Sequence, residues 1–176
     1  GASMKHLILG GVKSGKSRYA ENSARTLSDK VAVVVTAEPL DEEMKARIAR
    51  HIADRSAHWQ TKEAPIDLAA ALKQLDRDPS VEVVIVDCLT LWITNLLVKP
   101  KVSDRLAHYV AEFEKELKHF TKPLLLVSNE TNMGIMPVDA LSRRFCDETG
   151  RLHQRLAAAV DRVDLIVAGL PVSVKP

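Results

Sequence analysis

The sequence is poor in the features that would mark several classes of protein. It has two cysteines, Cys88 and Cys146, and no C-x-x-C spacing; this points to two reduced thiols rather than a disulfide framework. Charge of one sign is missing too. With 25 Lys and Arg against 23 Asp and Glu, the formal net charge is +2, too small to argue for nucleic acid or a membrane surface as partner. No apolar run approaches the roughly 20 residues of a membrane span, and no signal-peptide pattern appears. Internal repeats, low-complexity segments and linkers are absent as well. What is left, 176 residues with 46% hydrophobic and 27% charged side chains, suits one cytoplasmic enzyme domain with a single good core. Gly1-Ala2-Ser3 ahead of Met4 reads as a tag remnant, so the domain is expected over 4–176.

Against this plain background one stretch stands out. Gly10-Gly11-Val12-Lys13-Ser14-Gly15-Lys16-Ser17 follows an apolar run and precedes helix-forming residues. A strand, a glycine loop and a helix start in that order make an anion cradle. Glycines let backbone N–H groups approach phosphate oxygens, and the helix start adds partial positive charge. Lys16 would reach the β- and γ-phosphates, and the Ser17 hydroxyl would ligate Mg²⁺. The pattern predicts nucleoside triphosphate binding.

The rest of the chain alternates strand and helix signals. Continuous apolar runs at about 5–10, 31–36, 81–87, 123–128 and 163–168 read as strands buried on both faces, the last ended by Gly169-Leu-Pro171. Helices are expected from Lys16 to Leu27, from Asp41 past Ile52, over 67–75, 89–98 and 104–120, and over 138–160 with Gly150 as a point of interruption. Residues 99–103 and 132–137 read as loops. In the second helix Met44, Ile48 and Ile52 form the expected core stripe, and Arg47, His51 and Arg55 a second stripe three positions round. The predicted architecture is α/β: a single P-loop, RecA-like domain, its mostly parallel sheet covered by helices on both faces.

Ligands of such sheets sit at the carboxyl ends of the strands, which gathers Gly10, Thr36, Asp87, Asn129 and Glu130 at one edge. Asp87 is the natural second Mg²⁺ carboxylate and could equally cap the helix starting at Leu89; the two roles do not exclude each other. Glu130 reads as a base, a substrate contact or a cap. A helical histidine beside two arginines reads first as a solvated surface residue; the other reading is that Arg47 and Arg55, one turn to either side of His51, would attract a triphosphate and favour the neutral, nucleophilic imidazole.

These stretches resemble the bifunctional adenosylcobinamide kinase / adenosylcobinamide-phosphate guanylyltransferase family. The similarity covers nearly the whole chain from Met4 to Lys175. The carriers are the P-loop, Thr36-Ala37, 41–51 with its Arg-Ile-x-x-His, Glu63-Ala-Pro65 and Asp87-Cys-Leu-Thr-Leu-Trp92. Ser128-Asn-Glu130, Met133-Gly-Ile-Met-Pro137 and Ala168-Gly-Leu-Pro171 complete them. The resemblance implies two reactions: phosphorylation of adenosylcobinamide by ATP or GTP, and transfer of GMP from GTP to its phosphate through a guanylylated histidine, which falls on His51. It also implies catalytic work for Lys16 and nucleotide contacts at 10–17, Thr36, Ala37, Glu38, the turn His51-Ile52-Ala53-Asp54, Glu63 and Asp87, with a homotrimer as the assembly. The apolar 89–98 segment is compatible with subunit contacts.

Three departures from the family pattern are visible: Lys13 for Arg, Thr131-Asn132 for Val-Gly, with Asn132 suited to positive φ, and His153 for Asn. Two other readings of the motifs stay open, a single-function P-loop kinase of another small alcohol and a nucleotide-dependent assembly protein.

Overall fold

The computed structural model describes residues 4–38, 41–53, 55 and 58–176, with the backbone alone for 51–53; residues 1–3, expected to be a tag remnant, lie outside the described residues. Seven strands form one sheet in the order β3-β2-β4-β5-β1-β6-β7. The apolar runs give β1 (Lys5–Gly10), β2 (Val31–Val35), β4 (Val83–Asp87), β5 (Leu124–Asn129) and β6 (Arg162–Val167), all parallel. Their inner residues are buried because both faces of the sheet are covered.

Two strands lie beyond those the apolar runs reveal. β3 (Gln60–Glu63) pairs parallel with β2 at one edge, and its Gln-Thr-Lys-Glu sequence suits a solvated edge. β7 (Leu170–Lys175) returns antiparallel on β6 at the other. The Gly-Leu-Pro stretch therefore does not end the sheet. It turns the chain, with Ala168 at φ 50° and Gly169 at φ 78°, the left-handed pair a two-residue hairpin favours.

The helices are α1 (Lys16–Leu27), α2 (Glu42–Ala53), α3 (Leu68–Arg77), α4 (Leu89–Val98), α5 (Pro100–Ser103), α6 (Leu106–His119) and α7 (Ala140–Ala159). Asp41, Asp67 and Asp139 each accept the amide three residues on, at 2.7, 3.1 and 2.8 Å, and so fix the starts of α2, α3 and α7. Residues expected as loop at 100–103 form the short α5, which Pro100 can open because its position needs no amide donor. α7 runs uninterrupted through Gly150. A Cβ there would lie 2.1 Å from Asn132 Nδ2, so the glycine admits that side chain, which donates to Cys146 O at 3.1 Å. Asn132 itself is not among the positive-φ residues.

The core has two unequal halves. On one face α3, α4, α6 and α7 pack a large cluster around Trp92, which meets Phe113 edge-on at 5.2 Å and donates to Ile66 O at 2.7 Å. α4 is buried nearly all round within the chain, Val98 at its end excepted, so most of its apolar surface is used in this core. On the other face the smaller cluster holds Ala20 and Ala24 of α1 and Trp59. The expected core stripe of α2 is corrected: Met44 and Ile48 are only half-buried, belong to neither cluster and line a cavity instead. Ile52 lies outside the described side chains.

Candidate active site

β1 delivers the chain to the phosphate loop at the carboxyl edge of the sheet. A Cβ on Gly10 would stand 2.3 Å from Ser14 Oγ and 3.1 Å from Ile166 O, so no side chain fits there. Lys13 (φ 56°) and Gly15 (φ 93°) take left-handed conformations, which curl successive amides into a concave anion-binding nest ahead of α1. Lys16 Nζ donates to Gly11 O at 3.1 Å, bridging the loop. Ser17 Oγ donates to Asp87 Oδ2 at 3.1 Å, joining α1 to the end of β4. Asp87 does not cap α4; that position falls to Cys88, which makes no side-chain cap bond.

Opposite the loop lies a cavity of about 220 Å³ walled by Ser17, Asp87 and Cys88 on the sheet side and by Met44, Arg47, Ile48 and Arg55 across from them. Arg55 is nine-tenths buried. Its Nε reaches Glu21 Oε1 at 3.4 Å, and Nη1 has no partner among the described residues. A buried guanidinium N–H left over in this way is costly unless an anion takes it up. Arg47 is solvent-exposed at the rim. Burial, with the charge of Asp87 adding to it, pushes the Cys88 thiol up, so it stays protonated at neutral pH.

The structure brings Lys16, Ser17, Asp87, Ala37, Arg47 and Arg55 to one place and sets others apart. Thr36, expected as a nucleotide contact, is fully enclosed. Its hydroxyl donates to Cys88 O at 2.7 Å and accepts from Cys88 N at 3.0 Å, its amide donates to Asp87 O at 3.2 Å, and Asn95 Nδ2 donates to its carbonyl at 2.7 Å. It therefore holds the Asp87–Cys88 backbone in place. Glu38 pairs with Lys99 at 2.8 Å. Glu63 ends the edge strand, exposed, and does not line the cavity. Glu130 follows β5 in the loop: its amide donates to Gly10 O at 2.9 Å and its carboxylate accepts Asn132 N at 2.6 Å, which turns the chain there and caps no helix. The backbone of His51, Ile52 and Ala53 forms the last turn of α2; their side chains, and Asp54, lie outside the described residues. Val12 is exposed at the loop's tip. Sequence reasoning gave no site role to Cys88, which lines the cavity, or to Asn95, which holds Thr36, and it placed Met44 in the core; a lone amide in an apolar helix is the signal that could have found Asn95.

Among the described residues no three His, Cys, Asp or Glu side chains converge as metal ligands, which leaves the Ser17–Asp87 oxygen pair. No helix there is long and apolar enough to cross a membrane.

Comparison with known proteins places the fold and the family. A flagellar accessory protein from Methanocaldococcus jannaschii superposes with a TM-score of 0.54 at 13% identity, over 99% of this chain and 79% of that one, and supports the fold alone. The bifunctional adenosylcobalamin biosynthesis protein CobP of Pseudomonas aeruginosa is 45% identical over 98% of both chains. The CobU proteins of that description from Salmonella typhimurium and Escherichia coli are 35% and 37% identical over 98% of this chain and 100% of theirs. The model of one family matches residues 6–174. The chain belongs to the cobinamide kinase / cobinamide phosphate guanyltransferase family.

Proposed function

We propose that this protein phosphorylates adenosylcobinamide, with ATP or GTP as donor, and transfers GMP from GTP to the resulting phosphate, giving adenosylcobinamide-GDP. The observation that carries the reading is one cavity at the end of the phosphate loop that joins Ser17 and Asp87 to Arg47 and Arg55, the latter with a buried guanidinium N–H that has no partner among the described residues. In this reading the loop amides from Gly10 to Ser17 hold the phosphates, and Ala37, Glu38 and residues 51–54 add contacts to the nucleotide.

In nucleotidyl transfer the imidazole of His51, one helical turn beyond Arg47, attacks the α-phosphorus of GTP. The P–O bond to pyrophosphate breaks as the P–N bond forms, and Lys16 and the loop amides take the charge that develops on the leaving group. An oxygen of the adenosylcobinamide phosphate then attacks the same phosphorus and frees His51. Splitting the transfer in two lets pyrophosphate leave before the bulky acceptor enters. In the kinase reaction the same Lys16 serves the γ-phosphate, with the acceptor hydroxyl as nucleophile.

The Ser17 and Asp87 oxygens, 3.1 Å apart, suit Mg²⁺, which takes few protein ligands and completes its shell with phosphate and water. Bound there it neutralises phosphate charge. Cytoplasmic placement and a homotrimer belong to the same reading; exposed apolar side chains open to subunit contact include Ile135, Val138 and Leu170, with Val98 at the end of α4.

Intact-protein mass after incubation with GTP and Mg²⁺ tests the proposal. The expected result is an acid-labile GMP adduct on the native chain and none on His51→Ala. A native chain that binds GTP yet acquires no adduct overturns the histidine route.

A further inference from the structure

The Ala168-Gly-Leu-Pro171 stretch has no part in the chemistry above, yet its turn sits against the phosphate loop. Gly169 N donates to Ser14 O at 2.7 Å, a short bond between segments far apart in sequence. The two backbones also touch: a Cβ on Gly15 would lie 3.2 Å from Gly169 Cα. One strand earlier, Ile166 O stands 3.1 Å from where a Gly10 Cβ would be. The end of β6 and its turn thus frame the loop at Gly10, Ser14 and Gly15.

We infer that Gly169 is a positioning residue for nucleotide binding: its N–H sets the orientation of the Ser14–Gly15 peptide in the phosphate loop. In a planar trans peptide the C=O and the following N–H point in opposite directions. Holding the Ser14 carbonyl toward the turn therefore aims the Gly15 N–H away from it. That N–H opens the row of free amides at the start of α1, the donors on which an anion cradle depends. Without the tether this peptide is free to rotate, and each nucleotide bound must then order it. The turn that presents this N–H holds Gly169 at a φ of 78°, where L side chains are disfavoured. Space is not the constraint, since a Cβ there meets nothing within 4 Å.

The inference rests on the reading that residues 10–17 hold nucleotide phosphates, and the test keeps the two apart. Affinity for Mg²⁺·GTP is measured on the full chain by calorimetry, at a temperature where circular dichroism shows each variant folded. Lys16→Ala tests the phosphate reading and should weaken binding strongly. Gly169→Val, which cannot hold the left-handed turn, should weaken it about five- to tenfold, the worth of one hydrogen bond. Gly169→Asn, which tolerates positive φ, should stay within about twofold of the native chain. A native-like Lys16→Ala sinks the phosphate reading. If Lys16→Ala weakens binding while Gly169→Val binds like the native chain, or if Asn and Val weaken it equally, the inference about Gly169 is overturned. Should the valine chain not fold, Gly169→Ala replaces it: about threefold weaker binding is expected, and none refutes the role.

Discussion

Replacing Thr36 by valine keeps the shape of the side chain and removes only its hydroxyl. That hydroxyl is fully enclosed and serves both backbone groups of Cys88, at 2.7 and 3.0 Å. No water reaches the gap, so a buried carbonyl and a buried amide lose their partner together. Each such loss costs about 1–3 kcal/mol, and part of it is relieved by local movement, so a total of about 3 kcal/mol is expected. For a chain of this size 1 kcal/mol lowers the melting temperature by about 2–4 °C, giving a fall of about 6–12 °C. The movement that relieves the strain displaces Asp87, the next residue back, whose carboxylate accepts Ser17 Oγ. Mg²⁺-dependent nucleotide affinity should therefore fall as well. Thermal unfolding and Mg²⁺·GTP titration of Thr36→Val and Thr36→Ser are the assays. Serine keeps the hydroxyl and should lose only about 1 kcal/mol for the missing methyl. A valine variant that melts within a degree of the native chain, or a serine variant as damaged as valine, refutes the reasoning.

Two further predictions concern stability. His6 and His153 are buried, and burial holds both imidazoles below the usual histidine value, against the pull of Asp164 on His6 and of Glu130 on His153. The unfolded chain takes up protons first, so stability is full above about pH 6.5 and falls below it, by at most about 1.4 kcal/mol per pH unit for each histidine. Asp78 and Asp139, held below their ordinary value by hydrogen bonds to Ser80 and Ser142, lose their contribution only in more acidic solution. A melting temperature that is flat or rising from pH 7 to 5.5 contradicts this. Gly150→Ala gains about 1 kcal/mol of helix propensity but displaces Asn132 Nδ2 from Cys146 O, a loss of similar size. It should be near neutral alone and stabilising by about 1 kcal/mol in an Asn132→Ala background; additive denaturation free energies refute the contact.

How much could be read in advance depends on where the information resides. The phosphate loop and the five apolar strands are local patterns, and they are legible residue by residue. β3 is a polar edge strand with no apolar run to reveal it, and β7, although it carries Leu170, Val172 and Val174, is hidden behind Gly169-Leu-Pro171, which reads as a stop because hairpin turns and terminations use the same residues. The periodicity of Met44 and Ile48 was correct as periodicity; it tells that a face is apolar, not whether that face meets a core or a ligand cavity. Thr36 closes a strand at the ligand edge, as a contact residue would, and nothing in the chain between it and Cys88 announces their pairing.

The asymmetry of the two core clusters has a consequence for how this fold can change. The described side chains of α2 belong to neither cluster, while Met44, Arg47 and Ile48 look onto the cavity. Folding and chemistry are therefore encoded by largely separate sets of residues. Substitutions along α2 can alter the reaction or the acceptor with little penalty in stability, so a lineage can explore new specificities there by single steps. Along α4, where nearly every side chain is packed, the same number of steps would first unfold the protein.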